Sequence, residues 1–266
     1  MMTEPGPRFE AAGAIARVGF GPLGAIAWRD LRAALQGPAL WILLGLHQFI
    51  LGWVLLQVLE RFTGIEATAR VTGLSLELSL NLFSVAALLA LFTAPLLAMR
   101  SLSGERRDGT YALLASAPVP LVTILLGKYL ALSAMMSLQL LPPLILIGLV
   151  AMVAELDAGL LAAGMLGLWL TLLSFAAIGL FASSLSHQPV ATAVAGYGVL
   201  LTLSVIGRAR GIEPGEVSLF EWLSWNEHLF WFLSGVVRVS DLVYFVLLSA
   251  FFLALAHRRL ANMRLA

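Results

Sequence analysis

Few side chains in this chain have the type and spacing that covalent chemistry needs, and the neighbours of each candidate argue against it. Gly127-Lys128 is the nearest approach to a phosphate-binding loop. Such a loop needs Gly-x-x-x-x-Gly-Lys followed by Ser or Thr, so that backbone amides cradle phosphate and the hydroxyl holds magnesium. Here Val122 stands where the first glycine belongs and Tyr129 where the hydroxyl belongs. Lys128 reads instead as an anchor whose ammonium reaches the membrane surface from the inner end of a span. The four histidines, His47, His187, His228 and His257, form no i, i+4 pair and no His-Glu-x-x-His, so no metal site follows. Cysteine is absent, which removes disulfides, thiolate zinc, iron–sulfur clusters and thiol nucleophiles. An intramembrane protease would need a serine in a Gly-x-Ser-type turn and a histidine on another span. Ser234-Gly235 and His228 share one segment instead, and no Gly-x-Gly-Asp exists. No catalytic residue is expected.

The elements that must carry these residues are set by composition. The 266 residues are 60% hydrophobic and 12% charged, with a mean hydropathy of +0.95. Soluble domains carry about 25% charged residues, and disorder requires low hydrophobicity, so both classes are excluded. An all-α integral membrane protein remains. Charge-free runs at Ala39–Leu59, Leu78–Met99, Tyr129–Ala154, Gly159–Ser186, Pro189–Gly207 and Leu242–Ala256 give six transmembrane helices, the last one short. Alternating ten-residue strands, the barrel signature, are missing. No signal peptide is expected, because Glu4, Arg8, Glu10 and Arg17 interrupt the first residues. With both termini cytoplasmic, the inner segments hold Arg8, Arg17, Arg29, Arg32, Arg100, Arg106, Arg107, Lys128, Arg258, Arg259 and Arg264. The outer ones hold only Arg61, Arg70, Arg208, Arg210 and Arg238. Positive charge near spans stays inside, which orients the chain. Residues 1–38 form a cytoplasmic tail with an interfacial helix, and 39–266 the membrane domain. A net charge of +1, with no basic patch interleaved with aromatics, excludes a nucleic-acid partner.

Three polar segments stand out. Gly24–Gln36 places Ala25, Trp28, Leu31 and Leu35 near helical spacing, with Arg29, Asp30 and Arg32 off that stripe, and Gly37-Pro38 ends it. That is the pattern of a helix lying in the membrane interface, the alternative being a helix packed on the protein's own inner surface. Arg100–Lys128 joins the second and third spans and holds Glu105, Arg106, Arg107 and Asp108. Gly109-Thr110 and a short apolar helix, Tyr111–Ala115, follow, then Pro118 and Pro120. A short charged helix projecting from the membrane suits docking onto a soluble partner. Ser218-x-x-Glu221 and Ser224-x-x-Glu227 are capping boxes that start two short outer helices. Trp222, Trp225, Phe230, Trp231 and Phe232 would seat these at the headgroup belt. Within the spans, His47 beside Gln48, then Gln57, Asn81, Gln139 and the Pro142-Pro143 kink are the polar or irregular points. An interhelical hydrogen bond is the default role for His47, and kink and packing the default for Asn81, Gln139 and Pro142-Pro143, with lining a substrate path the alternative. Asp and Glu are absent from the six span interiors, so a carboxylate proton relay is missing and energy must come from outside the chain.

Two stretches resemble a known family. Glu105-x-x-x-Gly109-Thr110, Leu113-Leu114, Pro118 and Gly127-Lys128-Tyr129 resemble the cytoplasmic loop of type-2 ATP-binding-cassette permeases. Leu223-Ser224, His228, Phe232, Gly235-Val236-Val237 and Asp241-Leu242-Val243-Tyr244-Phe245 resemble the approach to the last span in the branch of gliding-motility and nitrous-oxide-reductase maturation permeases. The resemblance implies a half-transporter of a prokaryotic inner membrane, working as an exporter. Two six-span copies or paralogues would pair, each docked on a separate nucleotide-binding ATPase that holds ATP and magnesium, while this chain binds no cofactor. The loop from Arg100 through Thr110 would be the coupling helix, with Glu105 bonding at the docking groove. Trp28, Arg29 and Arg32 would mark the connecting helix. Trp222, Trp225, His228, Phe232 and Gly235 would belong to the outer cap. The alternatives are an ion-coupled transporter or channel without an ATPase, or an intramembrane enzyme.

Overall fold

Ala158–Leu185, α8 in the numbering used below, is the axis of the fold. Its sequence repeats Gly, Ala and Ser between leucines, and small residues let neighbouring helices close in where lipid offers no hydrophobic drive. Two-thirds of this span is buried inside the chain, against 28% for the peripheral span Pro38–Thr63. Asp157 starts α8 by accepting the amides of Gly159 at 2.9 Å and Leu160 at 3.1 Å, a side-chain cap.

The structure, a computed structural model, describes residues 21–63, 73–107, 109, 119–208 and 222–265, with side chains as far as 262 except at 208. In chain order the helices are α1 (Pro22–Gln36), α2 (Pro38–Thr63), α3 (Leu74–Leu78), α4 (Ser84–Ala98), α5 (Leu102–Arg107), α6 (Leu121–Ser137), α7 (Leu141–Ala151), α8, α9 (Pro189–Val205), α10 (Trp225–Leu233) and α11 (Val239–Leu265). No strand occurs among the described residues. α8 packs against α4, α6, α9, α10 and α11, while α1 lies along α6.

Five helical stretches are long and apolar enough to cross a membrane: Pro38–Thr63, Leu74–Arg107, Leu121–Ala151, Ala158–Leu185 and Val239–Asn262. The remaining run expected to span, now α9, has 17 residues before a 3-10 turn at Ile206–Arg208. The last span is longer than its charge-free core suggested, because α11 carries Asp241 in its first turn and Arg258 and Arg259 near its end. The second span is also irregular. A π-helical turn, Ser79–Phe83, joins α3 to α4. It turns the Ser79 hydroxyl to donate to the Leu233 carbonyl at 2.7 Å, at the end of α10. Where the Pro142-Pro143 kink is expected, a 3-10 turn, Leu138–Leu140, separates α6 from α7, since proline cannot donate to the preceding turn.

Candidate functional site

At one end of α8 the polar loop after α4 is tied to three helices. Ser183 of α8 accepts the backbone amides of Leu102 and Ser103, each at 3.0 Å. These are first-turn donors of α5 that have no partner within the helix. Arg106 donates to the Ser184 carbonyl at 3.1 Å. Glu105 then reaches across to α1 and α6: its carboxylate meets Arg29 at 2.6 Å and Lys128 at 2.8 Å. Lys128 also pairs with Asp30 at 3.1 Å, and Arg29 with Asp30 at 2.8 Å. Burial works against the charge on Arg29, yet Asp30 and Glu105 outweigh it and hold its pKa above the ordinary value.

This joint revises two expectations. The Lys128 side chain is fully buried, so it is an internal counter-ion and no snorkelling anchor. The α1 seam that faces the protein runs through Ile26, Ala27, Asp30 and Ala34, whereas Trp28 and Arg32 are exposed. Asp30 therefore points in, not out. Gly127 makes the approach of α1 possible: a Cβ there would sit 3.0 Å from Ile26 and 3.1 Å from the Leu23 carbonyl. Beyond Glu105, Arg107 and Gly109 are exposed, and Gly109 turns the chain with φ +73°. Arg100 is exposed just after α4. Asp108, Thr110, the expected helix Tyr111–Ala115 and Pro118 lie outside the described residues.

The other end of α8 carries α10. From Gly167 to Ser183 is about 24 Å along the axis at 1.5 Å per residue, so the α5 and α10 contacts are at opposite ends of the bundle. A Cβ on Gly167 would run into that of Phe232, the close approach that seats α10. Trp225, His228 and Phe232 are buried, while Trp222, Phe230 and Trp231 are exposed, so the aromatic cluster divides between core and surface. Ser224 stands at the start of α10, but its side chain makes no capping bond. Ser218 and Glu221 lie outside the described residues. His228 Nε2 donates to the Trp222 carbonyl at 2.8 Å, and Nδ1 bonds Asp241 Oδ1 at 2.8 Å. Arg238 closes on the same carboxylate at 2.8 Å and sits 3.9 Å over the Trp231 ring. Tyr244 stacks on the His228 ring at 3.8 Å and donates to the Leu223 carbonyl at 2.8 Å. Gly235 turns the chain at φ +82°, against Leu160.

The polar residues within spans serve different ends. Thr93 donates to the Gln139 side-chain oxygen at 2.9 Å, a buried interhelical bond that the sequence did not announce. Asn81 instead donates to the Glu77 carbonyl at 2.8 Å and its carboxylate at 3.1 Å, within its own turn. His47 is buried and bonds the Leu43 carbonyl of α2 through Nδ1 at 3.1 Å, while Nε2 has no partner among the described residues. Gln48 is half-buried. The structure thus does not give His47 the interhelical bond expected of it.

Residues 24–214 match the family described as ABC-2 family transporter protein, about seven-tenths of the chain. The chain belongs to that family. No individual curated protein matches it. An ABC-2 transporter component with these helices is a multi-pass membrane protein.

In this ABC-2 chain, sequence reasoning missed Asp30, Lys128, Ser183, Arg238 and Asp241 as organising residues. A signal existed for Lys128, the one charge in an otherwise apolar helix and preceded by glycine. Asp241 had a weaker one, an acid in the first turn of a span three residues after Arg238. Ser183 had none, because its role depends on where α5 arrives.

Proposed function

We propose that this chain is the transmembrane permease subunit of an ATP-binding-cassette exporter, driven by a separate nucleotide-binding ATPase. ATP and magnesium sit on that partner, and a second permease copy or a paralogue completes the path. α9 counts as the sixth span, since about 17 residues is the short limit for a crossing helix. Both termini then lie on one side, and the distribution of Arg and Lys makes it the cytoplasm of a prokaryotic inner membrane. α1 rests at that interface, with Trp28 and Arg32 turned outward.

The observation that carries this reading is the ion-paired joint of Arg29, Asp30, Glu105 and Lys128. It fastens the turn after α4 to α1 and α6, and Ser183 fastens the same turn to the central α8. In this account Glu105 braces the docking loop from within. Arg107, Gly109 and the residues beyond them meet the ATPase. A displacement of α5 is passed to α1, α6 and α8 together. Nucleotide needs only to favour one arrangement of the bundle over another, as in any population shift.

Purification in mild detergent tests the proposal. A soluble ATPase with a phosphate-binding loop should co-isolate, and Gly109→Pro should abolish the association, because proline cannot adopt the positive φ of that turn. Transport by the purified chain alone, driven by an ion gradient, would contradict the subunit reading.

A further inference from the structure

At the α5 end a cavity of about 530 Å³ opens between α1, α2, the end of α4 and α6. That volume lies within the range of small-molecule sites, about 300–1,000 Å³. Its walls are apolar: Ala34, Leu40, Leu43, Leu97, Leu132 and Met135. Its other lining is charged. Asp30, Glu105 and Lys128 of the joint contribute, and Arg100 stands exposed on the rim.

Two features specify an occupant. First, the mouth joins two kinds of surface. Ile42, 67% exposed on the apolar span α2, lines the same cavity as Arg100, so a guest would have one end in hydrocarbon and one at a guanidinium. Second, among the described residues one cation is left without a partner. The lining sets Lys128 and Arg100 against Asp30 and Glu105, and both carboxylates are taken by Lys128 and by Arg29, which lies outside the lining. Among the described residues no carboxylate pairs with Arg100. A cationic guest would meet repulsion there, and a neutral apolar one would leave Arg100 unused.

We propose that this cavity binds one anionic phospholipid from the surrounding bilayer, with an acyl chain between α2 and α6 and its phosphate on Arg100. Basic pockets between membrane helices recognise headgroups by this combination of charge and apolar depth, and Arg matches phosphate oxygens bidentately. A lipid seated there would touch α1, α2 and α6 together, and so would brace the joint. The inference needs only that α2 and α6 cross the bilayer. It does not depend on the ATPase partner.

Native mass spectrometry of the delipidated full chain in detergent micelles tests it, with phosphatidylglycerol and phosphatidylcholine of matched acyl chains as probes. One phosphatidylglycerol should be retained, several-fold over phosphatidylcholine. Arg100→Gln should cut retention about tenfold, the loss of one charge-assisted contact, whereas Arg259→Gln, outside the cavity, should not. Ala33→Trp, at an exposed position on the cavity wall, should exclude the lipid without disturbing the core. Equal retention of the two lipids, unchanged retention in Arg100→Gln, or displacement by glycerol 3-phosphate alone would overturn the proposal. All readouts use the isolated chain, so a missing ATPase would not affect them.

Discussion

Replacing Lys128 with methionine keeps the length of the side chain and removes its charge. The ammonium lies 3.1 Å from Asp30 and 2.8 Å from Glu105, with no exposure of its own, while the carboxylates are 18% exposed. At an effective dielectric of about 20, a unit pair at 4 Å is worth about 4 kcal/mol before desolvation. Breaking a buried pair by deleting one partner costs about 3–5 kcal/mol, because the other charge stays behind. Partial exposure of both acids and the remaining Arg29 place Lys128→Met at the low end, about 3 kcal/mol. Neutralising the acids as well should recover much of this. Lys128→Met with Asp30→Asn and Glu105→Gln should be more stable than the single variant by about 2 kcal/mol, since buried ion pairs replaced by neutral groups of similar size are often tolerated. Unfolding titrations in mixed detergent–dodecyl sulfate micelles measure both differences. A Lys128→Met protein within about 0.5 kcal/mol of the parent, the ordinary range for surface changes, would refute the joint. So would a triple variant no more stable than the single one.

Two further predictions concern the α10 end. Gly167→Ala drives a Cβ into Phe232 and should destabilise by about 1–3 kcal/mol, as overpacking does. Because the clash is with the Cβ and Cγ of Phe232, which leucine keeps, adding Phe232→Leu should not relieve that cost, read by the same titration. Asp241→Asn weakens the contacts to Arg238 and His228 and should cost about 2 kcal/mol through loss of charge-assisted hydrogen bonds. Amide exchange should then rise across Trp225–Leu233 while Leu102–Arg107 is unchanged.

The all-helical membrane class and the position of most spans could be read from the sequence, because about 20 consecutive apolar residues leave the backbone little choice. The sites of irregularity were partly readable: Pro142-Pro143 marked the 3-10 turn before it, but nothing in Ser79–Phe83 marks a π turn, whose Ser79 bonds the end of α10. Charge was harder. Lys128 and Asp241 fall at span ends, where a charge normally faces water, and only tertiary contacts reveal that each is buried and paired. Asp30 was misassigned for a related reason. The stripe through Trp28 and Leu35 is the more apolar one, yet α1 turns its Ile26–Asp30–Ala34 side to α6, where Gly127 leaves room and Lys128 supplies a counter-ion.

The central claim is that the α5 end of the bundle receives an ATPase. A photo-crosslinking residue placed at Arg107, and in a parallel protein at exposed Phe230 on α10, tests it in membranes that also contain the cell's ATPases. The account predicts a covalent adduct between position 107 and a soluble nucleotide-binding subunit, with none from position 230. An adduct between position 230 and a nucleotide-binding subunit, or none at 107 while transport proceeds, would contradict it.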